Sequence, residues 1–108
     1  MTQSLGPSVR RTVGDGGVRP EDLVYIDSFL ELLHCLNDPF AGGPKISQHV
    51  AKIPVLCTRV IQRARRRSRR RQIDTVEQAL ALIGNGGLET ELFQLLEELT
   101  ILKAELGA

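Results

Sequence analysis

From residue 20 onward, apolar residues recur at steps of three and four, the period of one face of an α-helix. Leu23, Ile26, Phe29, Leu30, Leu33 and Leu36 form the first such stripe, and Pro20 followed by Glu21 and Asp22 suits a helix start. The pattern predicts a helix from Pro20 to about Leu36, stopped by Asn37-Asp38-Pro39 and followed by a Gly42-Gly43-Pro44 loop. Ile46 to Ala51 reads as a short second helix capped around Lys45 to Ser47. Pro54 opens a third, with Leu56, Val60, Ile61 and Ala64 on its inner side. Beyond Ala64 the run RRRSRRRQ has nothing to bury, so that helix either projects into solvent or breaks near Ser68.

Asp74 with Glu77 resembles a capping box, and Gly84 stands where a left-handed residue ends a helix, which predicts a fourth helix over 74–83. Gly86-Gly87 then turns the chain into a last helix over 88–106. That helix has the sharpest pattern in the chain. Leu88, Leu92, Leu95, Leu99, Leu102 and Leu106 follow a 4-3-4-3-4 spacing, the seam of a coiled coil, with Phe93, Leu96 and Ile101 widening the apolar face. A core-facing helix and a self-association seam both satisfy this spacing.

The elements add up to an all-α fold, a small bundle of about five helices in one domain over residues 20–108. Composition agrees: 42% of the 108 residues are hydrophobic, yet Trp is absent, Tyr25 stands alone and Phe occurs three times, so Leu, Ile, Val and Ala must fill the core. Residues 1–19 read as a disordered tail. The chain lacks a signal-peptide pattern and any run of eighteen apolar residues, which points to a cytoplasmic protein with no membrane association. Cys35 and Cys57 sit in apolar stretches without a CxxC or CxxH neighbour and read as small buried side chains.

The formal net charge of +1 conceals a separation. Residues 59–71 carry eight arginines and no acid, whereas 72–108 carry seven acids and one base. Arg59 and above all Arg63, Arg65, Arg66, Arg67, Arg69, Arg70 and Arg71 are candidates for gripping a polyanion or an acidic partner, because the guanidinium fork matches phosphate and carboxylate oxygens. Two plainer uses compete: a solvated run, or pairing with Glu89, Glu91, Glu97, Glu98 and Glu105 within one chain or across a dimer. Catalytic chemistry finds no purchase. Neither His34 nor His49 is followed by Asp, no glycine pair precedes Lys-Ser/Thr, and His34 among apolar neighbours reads as a buried or half-buried structural residue. No catalytic, cofactor or metal residues are assigned.

The order of motifs resembles the HDOD domain, a catalytically silent relative of the HD phosphohydrolases found in bacterial signalling proteins. Leu36-Asn37-Asp38-Pro39 is similar to the turn closing that family's early helix. Val50 to Ile61 is similar to its Ile-x-x-Asp-Pro-x-Leu-x-x-Arg-hydrophobic-Leu pattern, with Ile53 in place of the acid. Ile73 to Gly84 looks like its later hydrophobic-x-Ser-hydrophobic-x-x-Ala-hydrophobic-x-x-hydrophobic-Gly helix, whereas Arg65-Arg66 stand where the family has Asn-Ser. The family domain is longer, so the resemblance implies an HDOD-like N-terminal portion whose last helix packs on a second copy or a partner.

Two functional readings follow. In the first, the chain is a non-enzymatic signalling module working by protein–protein contact, dimeric through Leu88, Leu92, Leu95, Leu99, Leu102 and Leu106. In the second, it is a nucleic-acid-binding regulator using the Arg-rich segment 63–71.

Overall fold

A computed structural model of the chain describes residues 17–107. Most of these are helical, and no strand occurs among them. A tight 3-10 turn over Pro20–Tyr25 leads into α1 (Ile26–Leu36), followed by α2 (Gly43–Ala51), α3 (Pro54–Arg67) and α4 (Val76–Gly107). Thus the described residues form four α-helices rather than about five. The expected fourth and fifth helices are two arms of α4, bent at Gly84, where φ is 70° and ψ 178°. That conformation is open essentially to glycine alone. Because Gly84 makes the whole break, Gly86 and Gly87 need not turn the chain and lie inside the second arm.

Local chemistry explains the other boundaries. Asp22 accepts a hydrogen bond from the Arg19 backbone N–H at 2.8 Å, which holds the entry as a 3-10 turn and delays the α-helix to Ile26. The first turn of α2 contains Pro44, so it starts at Gly43, two residues before the expected cap. At α4 the capping box lies one residue later than Asp74 and Glu77. Thr75 Oγ1 accepts from the Gln78 N–H at 3.1 Å, while Gln78 Oε1 accepts from the N–H groups of Asp74 and Thr75 at 2.8 and 3.2 Å. Ser68 adopts an extended conformation, and α3 ends at Arg67 instead of projecting further.

The core is aliphatic. Leu56, Val60 and Ala64 of α3 pack with Ala79, Ile83, Leu88, Leu92, Leu95 and Leu99 of α4, and Phe29, Leu32, Val50 and Ile53 complete it. On α1 the buried stripe is Phe29, Leu32 and Cys35, so Leu30, expected inside, is 55% exposed. Val18 is also buried, which carries the ordered part back into the expected 1–19 tail; the rest of that tail, residues 1–16, lies outside the described residues. No helix among the described residues is long and apolar enough to cross a membrane.

Candidate functional site

The longest packing surface joins α3 to the second arm of α4, and its charged margin shows how the arginine run is divided. On α3, Arg59 and Arg63 are one turn apart; on α4, Glu91 and Glu98 are two turns apart and each precedes a seam leucine by one residue. The two rows meet. Arg59 Nη2 donates to both oxygens of Glu98 at 2.6 and 2.8 Å, and its Nη1 lies 3.5 Å from Glu91 Oε1. Arg63 Nη1 donates to Glu91 Oε2 at 3.0 Å. Glu91 is the most enclosed member, its side chain 4% exposed, against 14% for Arg59, 31% for Glu98 and 34% for Arg63. A carboxylate this deep needs compensation, and two guanidinium groups supply it.

Arg63, grouped in the sequence with the ligand-facing arginines, is therefore turned inward. Glycine makes this possible: a Cβ on Gly87 would lie 3.2 Å from Arg63 Nε and 2.8 Å from Ile83 Cβ, so the side chain crosses α4 only where that helix has none of its own. Of the five glutamates considered for pairing, Glu91 and Glu98 are used, and Glu89, Glu97 and Glu105 are exposed.

The remaining arginines have a different fate. Arg65 donates through Nε and Nη2 to the carbonyl oxygen of Ile73 at 3.1 and 2.9 Å, closing the loop between α3 and α4. Arg66, Arg67, Arg69, Arg70 and Arg71 are exposed, and none forms an ion pair with a carboxylate of the described residues. Six positive charges thus crowd one corner of the molecule.

The leucine seam is divided as well. Leu88, Leu92, Leu95 and Leu99 are enclosed by the chain's own core. They are not available to a partner, because α3 already fills that side of α4. Leu102 is half-buried and Leu106 is 56% exposed, so the seam continues past the core that covers it. Phe93 and Ile101 are also exposed.

The pairing of Arg59 with Glu98 and of Arg63 with Glu91 shows that α3 and this arm of α4 run antiparallel. The arginine corner and the open seam end consequently lie at opposite ends of the helix pair. The signal for this arrangement was present in the sequence: Glu91 and Glu98 occupy flanking positions of the heptad, where coiled coils place the charges that select a partner.

The other candidates have structural surroundings. His34 is exposed, not buried or half-buried, because the inward stripe of α1 passes through Leu32 and Cys35. His49 is half-buried, with its Nδ1 enclosed and without a hydrogen-bond partner. The two histidines, Glu31 and Lys45 line a shallow groove of about 380 Å³, and no group of three or more His, Cys, Asp or Glu suited to a metal ion occurs among the described residues. Asp38 accepts from the Phe40 N–H at 2.9 Å and so shapes the turn after α1. Cys35 is buried; the half-buried Cys57 thiol lies 3.2 Å from the Val50 carbonyl, and burial pushes its pKa up. No family model matches the chain, and no curated protein or solved structure is significantly similar to it.

Proposed function

We propose that the chain is a non-enzymatic helical regulatory module, similar to the N-terminal portion of an HDOD domain, that works by protein–protein contact through the open end of α4. The observation that carries this reading is the leucine seam outrunning its own core: Leu99 is 2% exposed, Leu102 half-buried and Leu106 56% exposed on the same face. A stripe of this kind is stabilised by covering it.

A second copy of the chain is a fitting partner. Heptad spacing is self-complementary, and the exposed Lys103 and Glu105 beside the stripe give this end no net charge to repel a copy of itself. The motif order supports the regulatory assignment in a bacterial context. Leu56 and Val60 of the α3 pattern and Ala79 and Ile83 of the α4 pattern are core residues, and the glycine closing the latter is Gly84, whose positive φ demands it.

The test is the molar mass in solution of the wild type and of Leu102→Glu/Leu106→Glu, measured by light scattering over a concentration series. The reading expects the wild type to rise from 11.9 kDa toward twice that mass and the variant to stay monomeric while keeping its helical circular dichroism. A wild type that remains at 11.9 kDa throughout, or a variant that associates equally well, refutes it. Leu95→Glu is unsuitable for this purpose, because Leu95 is fully buried in the monomer and the substitution attacks the fold itself.

A further inference from the structure

We infer that the arginine corner, Arg65 to Arg71, is a binding surface for the phosphate backbone of double-stranded nucleic acid, separate from the contact proposed for α4. Four observations converge on it.

First, the pairing on the α3/α4 margin ends at Arg63. The acidic arm meets Arg59 and Arg63 through Glu91 and Glu98, and no carboxylate among the described residues forms an ion pair with the arginines that follow. Internal neutralisation, the plainest explanation of a basic run beside an acidic helix, applies to two arginines of the eight.

Second, the corner is braced. Arg65 clamps the Ile73 carbonyl, and Ile73 is itself buried, so the loop carrying Arg69, Arg70 and Arg71 is anchored at both ends. A braced cluster loses less conformational freedom on binding than a loose tail of the same composition.

Third, the charge density suits a polyphosphate better than a protein surface. Beside the bracing Arg65, the exposed Arg66, Arg67, Arg69, Arg70 and Arg71 lie within six consecutive residues, a stretch that spans no more than about 20 Å even fully extended. Duplex nucleic acid offers one phosphate per about 1.7 Å of its axis, so every guanidinium can find an oxygen pair within that span. The C-terminal dipole of α3 accounts for one or two basic residues in its last turn, but not for the three beyond Ser68.

Fourth, residues 59–71 contain no aromatic side chain. Unstacked bases of single strands are held by aromatic platforms, whereas the outside of a duplex is held by charge alone. The absence of a platform selects the duplex and implies binding with little dependence on base sequence.

Fluorescence anisotropy of the full chain with a labelled mixed-sequence duplex of about 20 base pairs tests this. The expected result is a micromolar or tighter Kd at about 50 mM monovalent salt, weakening several-hundred-fold or more at about 200 mM if five or six phosphates are neutralised. Arg69→Gln alone lowers the slope of log K against log salt by about one. Replacing Arg66, Arg67, Arg69, Arg70 and Arg71 together with Gln abolishes binding and leaves the chain folded, because none of these side chains forms an ion pair with a carboxylate of the described residues.

Each of these results overturns the inference: no binding at low salt, affinity independent of salt, a quintuple variant that binds like wild type, or tighter binding to a single strand of equal length. Polyglutamate of matched charge binding as tightly as the duplex also overturns it and assigns the corner to an acidic protein instead. None of these outcomes depends on whether α4 associates, so the two proposals stand or fall separately.

Discussion

Removing both cations from Glu91 provides the most demanding test of the internal architecture. In Arg59→Gln/Arg63→Gln, a carboxylate whose side chain is 4% exposed keeps its position inside the α3/α4 seam and loses its ion-pair partners. Leaving a buried charge uncompensated in this way costs about 3–5 kcal/mol. A small domain is stable by only about 5–15 kcal/mol, and each kcal/mol moves its Tm by about 4–8 °C, so the double variant should melt at least about 12 °C lower or fail to fold.

The single variants should cost less, for reasons visible in the geometry. Without Arg59, Glu91 keeps Arg63 at 3.0 Å, and Glu98, 31% exposed, can turn to water. Without Arg63, Glu91 keeps Arg59 as its neighbour at 3.5 Å. Each single change should therefore cost about 1.5 kcal/mol, the low end of the range for losing a hydrogen bond to a charged group, and the double change should exceed their sum, as expected of groups in one network. Adding Glu91→Leu to the double variant removes the stranded charge and should restore most of the loss, since apolar replacement of a buried ion network is often neutral or stabilising. The assay is urea unfolding of the wild type and the four variants followed by circular dichroism. Additive single and double effects, or a triple variant no more stable than the double, would refute the reasoning that Glu91 depends on its two arginines.

Other expected outcomes concern the bend, the cap and the thiol. Gly84→Ala should cost about 1–3 kcal/mol through backbone strain alone, since the space around it is open, and the melting temperature reads this directly. Gly87→Ala should also destabilise, against the gain of about 1 kcal/mol that alanine normally brings to a helix, because its Cβ would meet Ile83 Cβ at 2.8 Å; a raised Tm would contradict the packing. Thr75→Ala removes the acceptor of the Gln78 N–H and should cost about 1 kcal/mol in urea unfolding. Burial raises the pKa of Cys57 above its ordinary value of 9.0, so the native thiol should alkylate more slowly than in the unfolded chain at pH 8. The sign for stability follows: the neutral thiol is accommodated below pH 9.0, and stability falls as the pH rises from there toward the raised folded value.

Much of the bundle was legible because its core is built from periodic aliphatic residues. The inward positions Leu56, Val60 and Ala64 of α3, and Leu88, Leu92, Leu95 and Leu99 of α4, follow from spacing alone. Breaks were less legible. Three glycines within four residues offered several places to end a helix, and spacing alone does not select Gly84, where the backbone breaks, over Gly87, which faces Arg63 across the α3/α4 seam. The α1 stripe is legible in part: Phe29 is buried and Leu33 and Leu36 pack against the core as spacing expects, but apolar residues lie on more than one face of that helix, and only packing decides that Leu32 enters the core while Leu30 stays outside. For the charged run, pattern showed the excess of arginine but not its division. The boundary between structural and exposed arginines falls between Arg65, which holds the Ile73 carbonyl, and Arg66, where the α3 face that meets α4 gives way to the loop.

The resulting molecule has two distinct ends on one antiparallel helix pair, basic where α3 finishes and apolar where α4 does, and a function is proposed for each. Its proposed regulatory role depends most on the apolar end. Amide hydrogen exchange of residues 101–107 measured at low and high protein concentration tests that directly. The account predicts protection of these last turns that grows with concentration, while the amides around Leu88 to Leu99 remain protected at every concentration by the chain's own core. Fast, concentration-independent exchange over 101–107 would contradict it.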